Sequence, residues 1–355
     1  MSGSIKEQIG CVLHELPSSY LALKRGPGRW RMLHNRHESL EVRLGPSGVD
    51  GCRCCWEHSS ELTVTRVFPW MGRHLLGACF PTLSFRWSSP QPEHGPAVSV
   101  LVAIGGEDRQ RLLVPCLASL FAAAEEVRAG VEIILVREGE HRESAIEQIF
   151  PEVVECSVPP QPAFNKSLML NVAARKARGE ILVIHDADLL VSPSYLTTCL
   201  QRCRQAEAAR PGRLIFYLND SSTDRLVSAV GSSAKPQTLH DAGIRPNELS
   251  IERVVQNTPN PMAVRRETYF SLGGHDEDFE GWGGEDLEFL SRLRTTSIDE
   301  FGSEPLIHLW HPPSPKKQNG DRNQQLQDRK LSQPPQQRVR LLVEKSGLKW
   351  DSCGR

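Results

Sequence analysis

The stretch "EILVIHDADLLV", residues 180–191, decides the fold. It is an apolar run that two carboxylates, Asp186 and Asp188, interrupt near its end. A short run of apolar and β-branched residues predicts a strand that is covered on both faces. At the alternation of a strand, Asp186 and Asp188 point to one side and Ala187 to the other. Two carboxylates on one side repel each other unless a cation lies beside them. The stretch therefore predicts a Mg²⁺ or Mn²⁺ site, with a solvated acidic turn as the alternative.

Apolar runs on both sides of this strand predict an α/β fold with a mixed, mostly parallel central sheet. The predicted strands cover 98–104, 131–136 and 213–220, and the predicted helices cover 108–130, 164–179 and 192–210. Strand, helix and strand at this spacing form a βαβ unit, which makes the two strands parallel. Ligands of such sheets bind beyond the carboxyl ends of the strands. The two aspartates therefore stand where a ligand is expected.

The N-terminal part of the chain differs in composition from the rest. Within residues 1–95, the stretches "LEVRL" at 40–44 and "ELTVTRVF" at 61–68 alternate apolar and polar residues. This alternation predicts a small β-rich N-terminal module, to which no role is assigned. The Pro- and Ser-rich stretch at 86–97 predicts a linker to the next domain.

The main predicted domain covers residues 96–312, and the remainder of the chain is polar. Residues 313–355 are rich in Pro, Gln, Lys and Asp. This composition predicts an exposed C-terminal arm, with a short helix at 338–347 that docks it back onto the domain.

Composition excludes several classes of protein. The chain has 355 residues, is 39% hydrophobic and carries a formal net charge of −1, so no overall field favours nucleic acid or an anionic membrane. No apolar run approaches the roughly 20 residues that span a bilayer, and the first residues lack a secretory pattern. The expected location is therefore the cytoplasm, and peripheral contact with a membrane stays open. The 10 cysteines are expected to be thiols.

A second stretch, "LGGHDEDFEGWGGEDLEFLSRL" at 272–293, combines glycines, a tryptophan and carboxylates. Glycines on both sides of Trp282 let backbone approach a ligand closely, and the indole offers a flat platform for a sugar ring. Asp286 stands at the start of a predicted helix, whose dipole favours the ionised form of a general base. The alternative is that Trp282 belongs to the core and that the acids only decorate the helix start.

A third stretch, "LIHLWHPPSP" at 306–315, contributes His308 and His311. An imidazole completes a Mn²⁺ shell together with aspartates, although a single histidine is more often an ordinary polar residue. The three stretches together make a metal site credible.

In this order, the three stretches resemble a nucleotide-sugar glycosyltransferase of the GT-A fold over residues 97–312. "VSVLVAI", "CLASL", "EIILV" and the Asp-x-Asp strand are similar to family 2 enzymes. "FNKSLMLNVAARKA" and "GWGGED" are similar to the galactosyltransferase C-terminal segment of β-1,4-galactosyltransferases and of bacterial chondroitin-polymerase-type enzymes. The resemblance implies transfer of a sugar from a UDP-sugar donor to a hydroxyl of a saccharide or glycoconjugate acceptor, in polysaccharide or glycoconjugate synthesis.

The resemblance also implies a metal site and its ligands. Asp188 is the direct ligand of Mn²⁺ or Mg²⁺, joined by one histidine, with His308 favoured over His311. Asp186 contacts the metal through water or contacts the donor ribose. His185 receives no role.

Donor and acceptor positions follow from the same resemblance. Asn165 and Lys166 occupy the Phe-Asn-Arg position near the nucleotide or diphosphate, and Ala103 completes the donor-binding set. The catalytic base that deprotonates the acceptor hydroxyl is Asp286. The acceptor is held by residues of the "GWGGE" stretch, namely Trp282, Gly283, Gly284 and Glu285.

Two features qualify the resemblance. Many family 2 enzymes place an Asp pair after the second strand, where this chain reads "VREGEH" at 136–141, so the contacts to the donor base stay open. "GGED" in place of the "GGEN" of retaining polypeptide N-acetylgalactosaminyltransferases favours inversion, since inversion needs a base opposite the leaving group. The alternatives are a retaining enzyme of that kind, a non-catalytic sugar- or nucleotide-binding protein, and a nucleotidyltransferase, which "IGGEDRQR" at 104–111 supports poorly as a phosphate loop.

Overall fold

The computed structural model describes residues 5–24, 28–88, 95–106, 109–139, 145–312 and 319–346. Its strands are β1 Leu40–Gly45, β2 Gly48–Cys54, β3 Ser60–Glu61, β4 Val98–Ile104, β5 Val131–Glu138, β6 Val154–Val158, β7 Ile181–Asp186, β8 Leu189–Val191, β9 Ala208–Ala209, β10 Gly212–Leu218, β11 Ile251–Gln256, β12 Met262–Arg265, β13 Ile298–Asp299 and β14 Glu304–His308. Its helices are α1 Ile5–Gly10, α2 Leu16–Lys24, α3 Thr63–Val67, α4 Pro69–Cys79, α5 Gln110–Glu125, α6 Ala145–Ile149, α7 Lys166–Lys176, α8 Tyr195–Gln205, α9 Asp220–Val230, α10 Arg266–Ser271, α11 Glu285–Leu293, α12 Gly320–Leu331 and α13 Pro335–Ser346. Short 3₁₀ turns cover Arg29–Met32 and Pro246–Glu248, and a π-helical turn, Cys11–Glu15, joins α1 to α2.

The central sheet has seven strands in the order β13-β9-β12-β7-β4-β5-β6. Strands β7, β4, β5 and β6 are parallel neighbours, and β12 runs antiparallel to β7 and to β9. The chain builds outward from β4 to β6 and then returns to place β7 on the other side of β4. This reversal makes a switch point between β4 and β7, where α/β sheets bind ligands. The predicted α/β class with a mixed, mostly parallel sheet is confirmed.

The two faces of the sheet pack into two separate apolar clusters, as the alternation of strand residues requires. In β4, Val100 and Val102 face the cluster that includes α5, whereas Leu101 and Ala103 face the cluster that includes α7. All seven residues of β4 are buried, as its continuous apolar run predicts. The sheet therefore holds the ends of its strands rigidly at the switch point.

A second, five-stranded sheet has the order β3-β11-β10-β14-β8. A turn at residues 187–188 carries the chain from β7 in the central sheet to β8 in this one. The strand alternation used to orient the two aspartates therefore ends at Asp186, and Asp188 belongs to the turn. The alternation of side chains along a strand therefore does not show that Asp186 and Asp188 point to the same side.

The N-terminal part is mainly helical, so the prediction of a β-rich module is wrong. "LEVRL" does form β1, but "TVTRV" forms α3 in spite of its β-branched residues. Packing decides the outcome, because Val64, Val67, Met71 and Leu75 bury one face of α3 and α4 at helical spacing. Leu62 of this part belongs to the same apolar cluster as α5. Strand β3 also pairs with β11 of the second sheet.

The predicted linker lies partly outside the described residues, which exclude 89–94. Just before that gap the chain is packed, because the ring of Trp87 stacks on Phe150 with centroids 5.6 Å apart. No linker function is therefore visible in residues 86–88.

The described residues 319–346 of the predicted C-terminal arm form α12 and α13, and most of their side chains are exposed. The helix predicted at 338–347 is confirmed and docks on α11, where Arg338 donates to Glu288 and to Ser291 Oγ. Asn323 of α12 is buried and donates to the carbonyls of Glu280 and Trp282. The C-terminal helices therefore brace the "GWGGED" loop. None of the described helices has the length and apolar character needed to cross a membrane.

Candidate active site

A cleft of about 290 Å³ opens at the switch point of the central sheet and is closed on one side by the second sheet. It is lined by Arg109, Phe164, Lys166, Asp186, Asp188, Leu189, Ile215, Tyr217, Thr258, Pro259, Asn260, Gly281, Trp282, Glu285, Asp286 and His308. The three stretches singled out in the sequence meet here. Their meeting could not be read from the sequence, because about 100 residues separate Asp188 from Asp286.

Asp188, His308 and His311 form a cluster, of which Asp188 and His308 line the cleft. One ligand atom from each lies within 4.8 Å of the other two. His308 Nε2 is 3.7 Å from Asp188 Oδ1, and His311 Nε2 is 3.2 Å from Asp188 Oδ2. Both histidines therefore reach the carboxylate, and the geometry does not single out His308.

Secondary structure fixes the position of each member of this cluster. His308 ends β14 and pairs across the second sheet with Leu189, one residue after Asp188. The backbone N–H of Leu309 donates to the carbonyl of Asp188 at 2.9 Å, which holds the turn against the end of β14. The ring of Tyr217 in β10 stacks on the ring of His308.

Arg109, just before α5, was missed by sequence reasoning and completes the cluster. Its guanidinium lies 3.2 Å from Asp188 Oδ2 and 3.1 Å from His311 Nε2. A lone arginine between a strand and a helix carries no signal that distinguishes it from a surface residue. Its cationic group lies where it can meet a phosphate beside the cluster.

The electrostatics of the cluster suit a divalent metal. Burial favours the protonated form of Asp188, but His308, His311 and Arg109 outweigh burial and hold its pKa below the ordinary value. Burial lowers the pKa of His308 against the pull of Asp188, which favours the neutral imidazole that a metal ligand requires. One carboxylate and two imidazoles are a donor set that Mn²⁺ accepts. The residues present therefore fit the ion that the sequence predicts.

Asp186 ends β7, just before the turn that holds Asp188, and it contacts other residues than Asp188 does. Its Oδ1 is 2.8 Å from Lys166 Nζ, and its Oδ2 accepts a 2.7 Å hydrogen bond from Asn260 Nδ2. Asn260 was not predicted, and its side-chain Oδ1 is buried without a hydrogen-bond partner among the described residues. Asp186 is therefore held by protein groups, and no ligand atom of it belongs to the Asp188 cluster.

Asp286 forms the opposite wall, on the first turn of α11. Its Oδ2 is 2.9 Å from Lys166 Nζ, so Lys166 bridges Asp186 and Asp286. Burial raises the pKa of Asp286 to about 7 against the pull of Lys166, with a further rise from the charges of Glu285 and Asp186. A carboxyl group with this pKa suits a general base near neutral pH.

The glycines before α11 shape the loop that carries Trp282 and Glu285. Gly284 has a φ of +96°, and a Cβ there would lie 2.6 Å from the ring of Phe279, so only glycine fits. Gly283 also has a positive φ, with open space around it. Trp282 is 58% exposed at the rim of the cleft, so it is not a core residue. Glu285 lies 4.0 Å from Lys166 Nζ.

Two predicted donor contacts do not line the cleft. Asn165 caps α7 by accepting from the N–H of Leu168, and it donates to the carbonyl of Glu277, both at 2.9 Å. Ala103 is buried in β4 beside Asp186 of β7. Both residues support the strand and helix beside the cleft, and their contact with the donor stays a prediction.

The chain is similar to curated proteins that are named as N-acetylgalactosaminyltransferases. It is similar to chondroitin sulfate N-acetylgalactosaminyltransferase 2 of Homo sapiens, at 26% identity over 153 residues, which are 42% of this chain and 27% of that protein. It is similar to polypeptide N-acetylgalactosaminyltransferase 12 of Mus musculus, at 24% identity over 237 residues, 61% of this chain and 40% of that protein. The chain therefore spans less than half the length of these curated relatives.

Two solved structures are similar to this chain. GalNAc-T7 with UDP, GalNAc and Mn²⁺ is 14% identical, with a TM-score of 0.42 over 72% of this chain and 55% of that one. The mannosyltransferase PcManGT from Pyrobaculum calidifontis, in complex with GDP-Man and Mn²⁺, is 17% identical, with a TM-score of 0.41 over 74% of this chain and 73% of that one.

The family model of "Glycosyltransferase like family 2" matches residues 124–306, which are 183 of the 355 residues. The match begins in the last turn of α5 and ends within β14, so it includes both aspartates and Asp286. It confirms the predicted resemblance to family 2 glycosyltransferases. The chain belongs to the family 2-like glycosyltransferases.

Proposed function

We propose that this protein is a metal-dependent, inverting glycosyltransferase that moves a sugar from a UDP-sugar to an acceptor hydroxyl. The observation that carries the proposal is that one cleft is lined by Asp188 and His308 of the metal cluster and by Asp286, a carboxyl group with a raised pKa. A metal cluster on one wall and a base on the other are the two groups that an inverting transfer needs. Polysaccharide or glycoconjugate synthesis is the proposed context.

The donor diphosphate belongs at the metal cluster. Asp188, His308 and His311 would hold Mn²⁺ or Mg²⁺, which supplies positive charge to the oxygens of the leaving UDP. Arg109 contacts the same carboxylate and adds a guanidinium for a phosphate oxygen. Lys166 lies between the two walls and is the second cation within reach of the diphosphate.

The acceptor belongs at the opposite wall. Asp286 accepts the proton of the acceptor hydroxyl as the oxygen forms its bond to the anomeric carbon and the bond to UDP breaks. Trp282 offers its exposed indole face to the acceptor sugar, and Glu285 accepts a hydrogen bond from another hydroxyl. An ionised Asp286 opposite the leaving group supports inversion rather than retention.

The first donor to test is UDP-N-acetylgalactosamine, because the relatives reported above are named N-acetylgalactosaminyltransferases. A panel of UDP-sugars with Mn²⁺ would be screened for UDP release, with chondroitin oligosaccharides and other saccharides as acceptors. Turnover with one donor that stops on addition of EDTA supports the proposal. The anomeric configuration of the product, read by ¹H NMR, separates inversion from the retaining alternative.

A non-catalytic sugar- or nucleotide-binding protein is the alternative from another class. It predicts UDP binding without turnover on any acceptor and without loss of binding when the metal is removed. The raised pKa of Asp286 speaks against it, since a binding site needs no poised base. The cytoplasmic location and any contact with membranes stay predictions.

A further inference from the structure

Behind Asp286, on the side away from the cleft, lies a buried histidine that the mechanism above does not use. His275 is 1% exposed, and its Nε2 is 3.9 Å from Asp286 Oδ1. Both atoms are buried without a hydrogen-bond partner among the described residues. Two unpartnered buried polar atoms that face each other are costly unless a proton lies between them.

The surrounding hydrogen bonds fix which nitrogen of His275 carries the proton. Asn171 Nδ2 donates to the carbonyl of His275 and to Glu277 Oε1, so Asn171 presents Oδ1 on its other side. That oxygen accepts from the backbone N–H of His275 and from the hydroxyl of Tyr269, at 2.9 and 2.7 Å. The hydroxyl hydrogen of Tyr269 therefore points to Asn171 Oδ1. If it pointed elsewhere, two oxygens without a hydrogen between them would lie 2.7 Å apart.

The tautomer of His275 follows from this network. The oxygen of Tyr269 lies 3.0 Å from His275 Nδ1 and can only accept there, so Nδ1 carries the hydrogen. Nε2 is then a lone pair directed at Asp286 Oδ1. Stacking on Phe289, at 4.2 Å between centroids, holds the imidazole in this plane.

We propose that His275 is a positioning residue that makes Asp286 a stronger base, by presenting an acceptor nitrogen to the proton that Asp286 removes from the acceptor hydroxyl. The proposal rests on the proposed function. In the resting enzyme the lone pair of Nε2 repels the carboxylate. When Asp286 takes the proton from the acceptor oxygen, the acid formed closes the 3.9 Å gap and donates Oδ1–H to Nε2. The proton stays on Asp286, and His275 remains neutral throughout.

The charges around the pair agree with a neutral histidine. Burial lowers the pKa of His275 well below its ordinary value, and the cations Arg292 and Lys166 lower it further. Asp286 itself is faced by Lys166 from α7, by Asp186 from β7 and by Glu285 from its own helix. Among the described residues none of these groups is hydrogen-bonded to Oδ1, and His275 Nε2 is the uncharged acceptor beside it.

The kinetic test compares two substitutions at His275 across pH. His275→Phe keeps an aromatic ring against Phe289 but removes the lone pair, so the carboxylate is no longer repelled. We expect the acidic limb of the kcat profile to move down by about one pH unit, with kcat about tenfold lower at pH 8 and an unchanged acceptor KM. His275→Gln, which can present Oε1 near the position of Nε2, should restore most of the wild-type profile.

Tyr269→Phe tests the fixed tautomer. Without the hydroxyl, His275 can move its hydrogen to Nε2 and donate to the carboxylate, so the limb should move in the same direction as in His275→Phe. Tyr195→Phe is the matched control, since it removes a buried tyrosine hydroxyl from the other core cluster and should leave the profile unchanged.

An NMR measurement separates failure of this inference from failure of the proposed function, because it needs no turnover. The ¹⁵N shifts of His275 should show a hydrogen on Nδ1 and a lone pair on Nε2, and the Nε2 shift should change as Asp286 titrates near pH 7. This change should vanish in Asp286→Asn. A hydrogen on Nε2 in the resting protein, or a His275→Phe profile that overlays the wild type in an active enzyme, would overturn the inference. Absence of transfer with the expected shifts would overturn only the proposed function.

Discussion

The ring of Tyr217 lies flat against the ring of His308, with centroids 4.2 Å apart and planes inclined by 19°. Tyr217 lies directly opposite His308 in the register of β10 and β14, so the sheet itself sets this contact. On its other face Tyr217 meets the guanidinium of Arg253, 4.5 Å from the ring centroid. The stack holds the imidazole toward Asp188 and leaves it little freedom to rotate.

Removing this stack should weaken the metal site without removing a ligand. We expect Tyr217→Ala to lower Mn²⁺ affinity about tenfold, since groups that orient ligands commonly contribute 10–100-fold. Tyr217→Phe preserves the flat contact and should bind Mn²⁺ as the wild type does. Isothermal titration with Mn²⁺ measures both, and equal affinity for the Ala variant would show that the stack is irrelevant to the site.

Substitutions in the metal cluster should weaken Mn²⁺ binding to different degrees. Asp188→Ala should abolish Mn²⁺ binding and reduce transfer by at least about 100-fold, because it removes the only carboxylate of the cluster. His308→Ala and His311→Ala should each weaken Mn²⁺ binding, since both imidazoles reach Asp188. His58→Ala alters an exposed histidine outside the cleft and serves as the control. If His311→Ala bound Mn²⁺ normally, the cluster would shrink to a two-residue site.

The activity should depend on pH through Asp286. Its pKa is raised to about 7, and only the carboxylate can accept a proton, so kcat/KM should fall as pH drops below about 7. Asp286→Asn should lower kcat by about 10²–10⁴-fold, as loss of a general base does, while UDP still binds. A pH–rate profile of the wild type and a UDP titration of the variant check both parts. A variant with near wild-type transfer would remove Asp286 from the mechanism.

Trp282 predicts an effect on the acceptor alone. Its indole is exposed at the cleft rim, so Trp282→Ala should raise the acceptor KM about tenfold, which corresponds to about 1.4 kcal/mol of binding free energy. The donor KM should change little. Trp70→Ala removes another exposed tryptophan outside the cleft and is the matched control. A rise in the donor KM of Trp282→Ala would move this side chain to the donor side.

The C-terminal helix predicts a stability effect. Arg338 of α13 donates to Glu288, which is fully buried on α11 and also binds Arg292. Arg338→Ala should lower the free energy of unfolding by about 2 kcal/mol, because it takes one cation from a buried carboxylate. Arg340→Ala on the same helix is the control, and thermal unfolding compares the two. Equal melting temperatures would mean that α13 does not brace α11.

Local sequence patterns predict the central sheet well. Continuous apolar runs such as 98–104 leave one solution, a strand buried on both faces, and the helices between them carry clear apolar faces. The same local rules failed at 61–68, where β-branched residues form α3 because tertiary packing outweighs their preference. Helix α12 was also missed, since its polar composition reads as an exposed arm although Asn323 is buried.

The candidate site was predictable only where a motif carries chemistry by itself. Asp188, Asp286 and the histidine pair stand out by residue type and spacing, whereas Arg109 and Asn260 gain a role only from the partners that the fold gives them. The sequence predicts no role for His275, because the proposed role depends on the position of its Nε2 atom beside Asp286, which only the fold sets. Asn165 stands out by its motif, and the fold adds a helix-cap role that the motif alone does not reveal.

The central claim, a metal site that carries the diphosphate of a nucleotide sugar, is tested most directly by UDP binding with and without metal. Isothermal titration of UDP needs no acceptor, and it compares the wild type with Mn²⁺, the wild type with EDTA, and Asp188→Ala with Mn²⁺. The account predicts binding in the first case and affinity at least about tenfold weaker in the other two, a difference of at least about 1.4 kcal/mol. Equal UDP affinity in all three would contradict it.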